Sequence, residues 1–142
     1  MAKPLISEVL NNASKLKTKA EKMEYLRKMN HPALRDVLRV AFDADIVSLL
    51  PEGTPPYTKD DAPKGHEYLT LYRGHRRFKY FFKGPVANEL DPIRRESMFI
   101  SLLESLHAED ADMLCLAKDK KLKIPGITKK LVSDTFPNLI VK

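Results

Sequence analysis

The 142-residue sequence predicts an all-α fold, one compact domain over 1–142 with six or seven helices and a single long proline-rich loop at 51–66. Three observations predict it. Apolar residues recur at helical spacing through most of the chain. The periodic segments begin at helix-start residues: Thr18, His31-Pro32, Asp91-Pro92 and Thr128. No part reads convincingly as sheet; only the run 67–72 alternates, weakly enough for a strand to compete with a helix there.

A first helix is expected over about 5–15, with Leu5 and Val9, and then Leu16, on its inner side. Lys15, Lys17 and Lys19 mark a basic joint. Thr18-x-x-Glu21 has the spacing of a capping box and starts a second helix that turns Ala20, Met23 and Leu26 inward. Proline is favoured at the first helical position, so His31-Pro32 restarts the chain. Leu34, Val37, Leu38, Ala41 and Phe42 then give the cleanest amphipathic pattern in the sequence.

The stretch PEGTPPYTKDDAPKGH holds four prolines and two glycines, which excludes regular structure. A loop of this length in a compact domain is usually functional or mobile. A fourth helix is expected over about 67–83. One of its faces carries Leu71, Tyr72, His75, Phe78 and Phe82; the other carries Arg73, Arg76, Arg77 and Tyr80. The first set reads as core, with His75 packed rather than ligating, and the second as a basic face suited to sugar-phosphate contact. Gly84-Pro85 ends the helix. Asp91-Pro92 opens a fifth, with Phe99, Leu102, Leu103 and Leu106 inward. Arg94 and Arg95 fall in its first turn, where the helix dipole disfavours them, and point to an anionic partner. A sixth helix begins near His107-Ala108, with Glu109, Asp110 and Asp112 as helix-start charge and Ala111, Leu114 and Cys115 inward. A seventh carries Leu131, Val132, Thr135 and Phe136, and the apolar tail at 138–142 is expected to pack onto the body.

The most site-like stretch runs over 114–139. Lys118, Lys120, Lys121, Lys123, Lys129 and Lys130 fall within thirteen residues, against one acid, Asp119. Pro125-Gly126 turns the chain in their midst, and Thr128 caps the next helix. Unpaired amides over Gly126–Thr128, ringed by lysines, form an arrangement that accepts phosphate. The plain alternative is a solvated connector. The formal charge of +6 and a pI near 9.4 favour an anionic partner.

Other chemistry is missing from the sequence. The four histidines lie at no ligand spacing with one another or with Cys115, and Asp60-Asp61 alone make no metal site, so neither a metal nor a cofactor is expected. There is no phosphate-binding glycine loop and no nucleophile elbow, and the chain is read as non-catalytic. A lone cysteine allows no internal disulfide and indicates a reducing compartment. The N-terminus lacks an apolar run, so neither a signal peptide nor a membrane association is expected.

The segments Lys118-Asp119, Leu122, Gly126-Ile127-Thr128 and Phe136-Pro137-Asn138-Leu139 resemble the end of the N-terminal α-helical DNA-binding domain of phage-type ATP-dependent DNA ligases. Thr18–Lys22, Leu26, Asn30, Leu34, Val37, Leu38 and Phe42 are similar to that domain's opening helices, and Leu69-Thr70-Leu71 fits as well. The chain departs from the pattern at Lys123-Ile124-Pro125, which adds length before Gly126, and in the composition of the 51–66 loop. It has no Lys-x-Asp-Gly nucleophile motif. NHPALRDVLRVAFD, LPEGTPPY and RRESMFISLLESLH also resemble a small uncharacterised protein family of T-even-like tailed phages, notably cyanophages.

The resemblances imply a viral protein of the host cytoplasm that grips duplex DNA through its phosphates with little sequence preference. Lys118, Lys120, Lys121, Lys123, Gly126, Thr128, Lys129 and Lys130 would carry the contact. Arg73, Arg76 and Arg77 stand second, and Lys15, Lys17 and Lys19 third. The alternative is a phage protein-interaction module, such as a host-factor inhibitor, a replication or transcription adaptor, or a virion component, using the 51–66 loop. Single-strand binding is disfavoured, because most aromatics that could stack on bases belong to the core.

Overall fold

The computed structural model describes residues 4–43, 45–57, 69–137 and 139. Among them are eight α-helices and one 3-10 helix. These are α1 (Ile6–Ser14), α2 (Lys19–Lys28), α3 (Pro32–Phe42), α4 (Leu71–Gly74), the 3-10 helix His75–Tyr80, α5 (Pro85–Asn88), α6 (Pro92–Ser105), α7 (Ala108–Lys118) and α8 (Lys129–Thr135). No strand occurs among the described residues. Two isolated antiparallel bridges, Ser48 with Phe82 and Ile124 with Ile127, are the closest approach to sheet.

Local chemistry sets five of the helix starts. Thr18 Oγ1 accepts from the Glu21 amide at 3.2 Å, Asp91 Oδ2 from that of Arg94 at 3.2 Å, and Thr128 Oγ1 from that of Leu131 at 3.1 Å. Two caps are histidine rings: His31 Nδ1 accepts from Ala33 N–H at 3.0 Å and His107 Nδ1 from Glu109 N–H at 3.1 Å. Each such bond satisfies an amide that the helix leaves open and contributes about 1 kcal/mol. The Glu21 side chain accepts from the Thr18 hydroxyl at 3.0 Å, so the expected capping box closes side chain to side chain. Asp110 does more than supply helix-start charge. It is buried, and its Oδ1 accepts from Ser7 N–H at 3.0 Å, tying the start of α1 to the start of α7.

α3 is the central element, as its periodicity predicts. Leu34, Val37 and Leu38 are fully buried where it packs against α7, α4 and the 3-10 helix. α1 packs on α2 and α7, α8 on α2, and α6 on α7. The predicted inward sets of α6 and α7 are all buried. Ala20 is the exception in α2: it is exposed, and Leu26 with the half-buried Met23 and Tyr25 faces the core instead.

The predicted helix over 67–83 is the clearest departure. One α turn, α4, gives way at Gly74 to the tighter 3-10 helix. Gly74 is buried, and a Cβ there would come within 3.2 Å of the Leu102 and Leu69 side chains, which would have to give by a few tenths of an ångström to admit it. Glycine, histidine and the aromatics that follow are weak α-formers. The two faces survive in part: of the predicted inner face Leu71, Phe78 and Phe82 are buried, Tyr72 and His75 are half-buried, and Phe81 joins them in the core, while Arg73, Arg76 and Arg77 are exposed and Tyr80 is half-buried. Amide bonds from Leu49 to Phe81 O (2.9 Å) and from Lys83 to Val47 O (2.7 Å) hold the segment after α3 against the end of the 3-10 helix. No helix among the described residues is long and apolar enough to cross a membrane. Asp60-Asp61, the rest of the loop beyond Tyr57, and the tail apart from Leu139 lie outside the described residues.

Candidate nucleic-acid interface

The lysines of the 114–139 stretch separate into two kinds. Lys118 is buried, its side chain 1% exposed; its Nζ donates to Pro51 O at 3.0 Å and to Asp119 Oδ1 at 2.8 Å. The other Asp119 oxygen accepts from Gly53 N–H at 2.8 Å. Lys118 therefore cannot serve as a phosphate contact, and this corrects the sequence reading. An ammonium with a carbonyl and a carboxylate around it is committed to holding residues 51–53 on the end of α7. Further along the same helix Asp112 Oδ1 accepts from Tyr57 OH at 3.0 Å. The segment 51–57 is thus a strap laid along α7.

The strap covers Cys115, and burial raises the thiol pKa above its usual value. Burial, then the Asp112 hydrogen bond, raises that of Tyr57 as well. Both groups hold their protons more tightly folded than unfolded. Their stabilisation is complete below the unfolded thiol value of 9.0 and is lost as pH rises toward the folded values. The urea midpoint is expected to fall between pH 8 and pH 10.5, and to fall less in Cys115→Ala than in wild type. Lys120, held low by desolvation, acts in the opposite sense in both proteins and cancels from the comparison. Parallel pH profiles would contradict the burial of the thiol beneath the strap.

Lys120 is also engaged. It stands in the left-handed region at φ 60, at the end of α7, where Lys121 N–H bonds Leu116 O (2.9 Å) and Lys120 N–H bonds Ala117 O (3.0 Å). That pairing is a Schellman motif, usually built on glycine. The conformation turns the lysine toward the end of α3, where its Nζ donates to Val40 O and, at 2.7 Å, to Asp43 O. The ammonium sits at the negative end of the α3 dipole, a favourable placement. Lys121 pairs with Glu52 at 2.7 Å, but both side chains are well exposed, so the pair contributes little and exchanges readily.

Lys123, Lys129 and Lys130 are exposed, with no ion pair among the described residues. Ile127 N–H bonds Ile124 O at 3.0 Å across Pro125-Gly126, with Gly126 at φ 77, the residue pattern of a type II turn. Ser14 Oγ donates to Pro125 O at 2.7 Å and fixes the turn to the end of α1. Arg27, through Nε to Thr135 O and Nη2 to Asp134 O, both 3.2 Å, caps the end of α8 against α2. The packing brings Lys19 and Lys22 to the same shallow pocket as Gly126, Thr128 and Lys130. Lys19 is held there by Asp134 at 2.5 Å, which depresses the Asp134 carboxyl. Lys15 and Lys17 are exposed between α1 and α2.

The arginines make the less encumbered surface. Arg76, Arg77, Lys79 and Tyr80 of the 3-10 helix line a groove of about 550 Å³ with Arg94, Ser97, Met98 and Ser101 of α6. None of the four cations has an ion pair among the described residues. Arg73 is exposed at the end of α4 and does not line the groove. Arg95, the neighbour of Arg94, is buried and donates to Ala87 O (2.6 Å) and Leu90 O (2.9 Å) at the end of α5. Its first-turn position reflects that capping role, so of the arginine pair only Arg94 faces outward.

One sequence comparison places these features in a family. The chain belongs to a family of unknown function, DUF6433. The family model matches residues 9–124. No curated protein matches the chain. The DUF6433 span includes the whole arginine groove and the strap along α7; it ends before Pro125-Gly126 and α8.

Within the same span lies a cleft that the sequence does not announce. His75 Nδ1 stands 2.6 Å from Asp36 Oδ2, across 39 residues of chain. The pair opens on a cavity of about 570 Å³, next to the groove and sharing Arg76 and Lys79 with it. Lys22, Lys79 and Arg39 were also invisible as site residues from sequence, since each acquires its setting from an element distant in the chain. Arg94 did carry a signal, a cation at the wrong end of a helix dipole. No group of three or more His, Cys, Asp or Glu side chains able to hold a metal occurs among the described residues.

Proposed function

We propose that this DUF6433 chain is a non-catalytic DNA-binding protein that grips duplex DNA through its phosphates with little sequence preference. The observation that carries the reading is the groove between the 3-10 helix and α6. Arg76, Arg77, Lys79 and Arg94 converge there from two elements, without carboxylate partners among the described residues. Arginine forks match phosphate geometry, and Ser97 and Ser101 add hydroxyl donors on the α6 wall. Lys22 and Lys130, beside Gly126 and Thr128, form a second cationic region, and Lys123 and Lys129 are exposed on the same stretch of chain. The sequence likenesses to a ligase DNA-binding domain and to a tailed-phage family support the same reading, in which the protein acts in an infected host's cytoplasm.

Fluorescence anisotropy with two intact duplexes of unrelated sequence, a nicked duplex and a single strand tests it. The two duplexes are expected to bind within about twofold of one another, since phosphate contacts carry no sequence information. Affinity for one sequence alone, or for no DNA at low salt, would reject the reading. A protein-interaction module is the second reading. It is favoured by Ile93, 75% exposed at the start of α6, and by Leu116, 44% exposed on α7.

A further inference from the structure

The cleft beside the arginine groove has a composition that a simple phosphate clamp does not need. Its floor is apolar: Phe78 and Phe82, in edge contact at 6.2 Å, with Ile46 and Val40. Val86 stands at it 44% exposed, a large apolar side chain left facing water. The rim is polar. Arg39 is 43% exposed at its side chain, while its Nε is buried with no hydrogen-bond acceptor among the described residues and lies 3.9 Å from Asp43 Oδ2. Asp36 lies opposite in charge, oriented by His75 and still 39% exposed. Arg76 and Lys79 belong to both the cleft and the groove, so a backbone lying in the groove passes the cleft mouth.

We propose that the cleft receives a single unstacked nucleotide of a DNA strand whose neighbouring phosphates lie in the arginine groove; this rests on the DNA-binding reading above. The size fits, since pockets for small ligands enclose roughly 300–1,000 Å³. The apolar floor covers the face of a base, which has little sequence-dependent character. The Asp36 carboxylate can accept from an exocyclic amino group, and the terminal guanidinium nitrogens of Arg39, whose side chain is 43% exposed, can donate to a ring nitrogen or carbonyl oxygen. Arg76 and Lys79 neutralise the phosphates on either side of the extruded unit. A purely double-helical ligand has no group to place on Phe78 and Phe82, whereas an unpaired nucleotide has one. The protein would then favour duplexes with a bulged, flapped or mismatched base over intact ones.

The test compares an intact duplex with one carrying a single unpaired 2-aminopurine nucleotide, by anisotropy and by 2-aminopurine fluorescence, with free dAMP as competitor. Wild type is expected to bind the unpaired form about tenfold tighter and to change the fluorescence of the extruded base. Val86→Trp, which fills the mouth from an exposed position, is expected to lose both effects while binding the intact duplex within about twofold of wild type. Arg39→Gln, a substitution that leaves the apolar floor intact, is expected to reduce the preference in the same direction. Equal affinity of wild type for the two duplexes would overturn this inference and leave the DNA reading standing. Displacement of the 2-aminopurine by micromolar dAMP would overturn the assignment to a nucleotide still in its strand. Absence of binding to either duplex would overturn the DNA reading and the inference together.

Discussion

Arg76→Glu/Arg77→Glu/Arg94→Glu is expected to weaken duplex binding by about 10²–10³-fold at moderate salt and to flatten the slope of log K against log salt by about 2.7. Each lost phosphate contact removes close to one released counterion, and the reversed charges add repulsion. All three side chains are exposed and carry no ion pair among the described residues, so the fold should tolerate their reversal with little loss of stability. The comparison variant is Lys123→Glu/Lys129→Glu/Lys130→Glu. If the groove is the principal contact, that variant loses less affinity than the arginine variant, although it changes the same formal charge. Circular dichroism on both variants checks that folding is intact. Equal losses would place the contact in the general field of the protein rather than in the groove.

Lys118→Met is expected to behave in the opposite way, with a large loss of stability and an unchanged salt slope. Removing the ammonium leaves the Asp119 carboxylate, 9% exposed, with the Gly53 amide as its hydrogen-bond donor among the described residues and the exposed Lys121 as its nearby cation. Breaking one side of a buried pair costs about 3–5 kcal/mol. The lower end applies here, because release of the strap lets water reach Asp119. Lys118→Met/Asp119→Asn should recover part of the loss, since the residual charge is gone. Urea unfolding measures both. A loss for Lys118→Met below about 1 kcal/mol would mean that the pair is solvated and the strap loosely held.

These two variants mark where sequence stops being legible. Helix starts are local events, settled by a side chain and an amide two or three residues on, and so Thr18, His31-Pro32, Asp91-Pro92, His107 and Thr128 could be read directly. The buried faces of α3, α6 and α7 follow from a period of 3.6 and were equally plain. The lysine run shows the limit. Lys118, Lys120 and Lys123 look alike in sequence, yet the first answers Pro51 across 67 residues, the second answers Asp43 across 77, and the third faces solvent. Long-range partners decide which cation is free, and no local pattern encodes them. The groove has the same origin. Arg76 and Arg77 appear in one segment and Arg94 in another, and only packing of the 3-10 helix beside α6 makes them a surface. The helix expected over 67–83 changes type at Gly74, where glycine, histidine and the aromatics that follow favour α geometry only weakly.

The most direct test of the phosphate grip is the salt dependence of wild-type binding to an intact duplex, measured by anisotropy from about 50 to 200 mM monovalent salt. Engagement of five or six phosphates predicts a log K against log salt slope of roughly −4.5 to −5.4. A slope near zero, with binding retained, would contradict the account, because contacts carried by arginine and lysine on phosphate cannot be insensitive to the ions they displace.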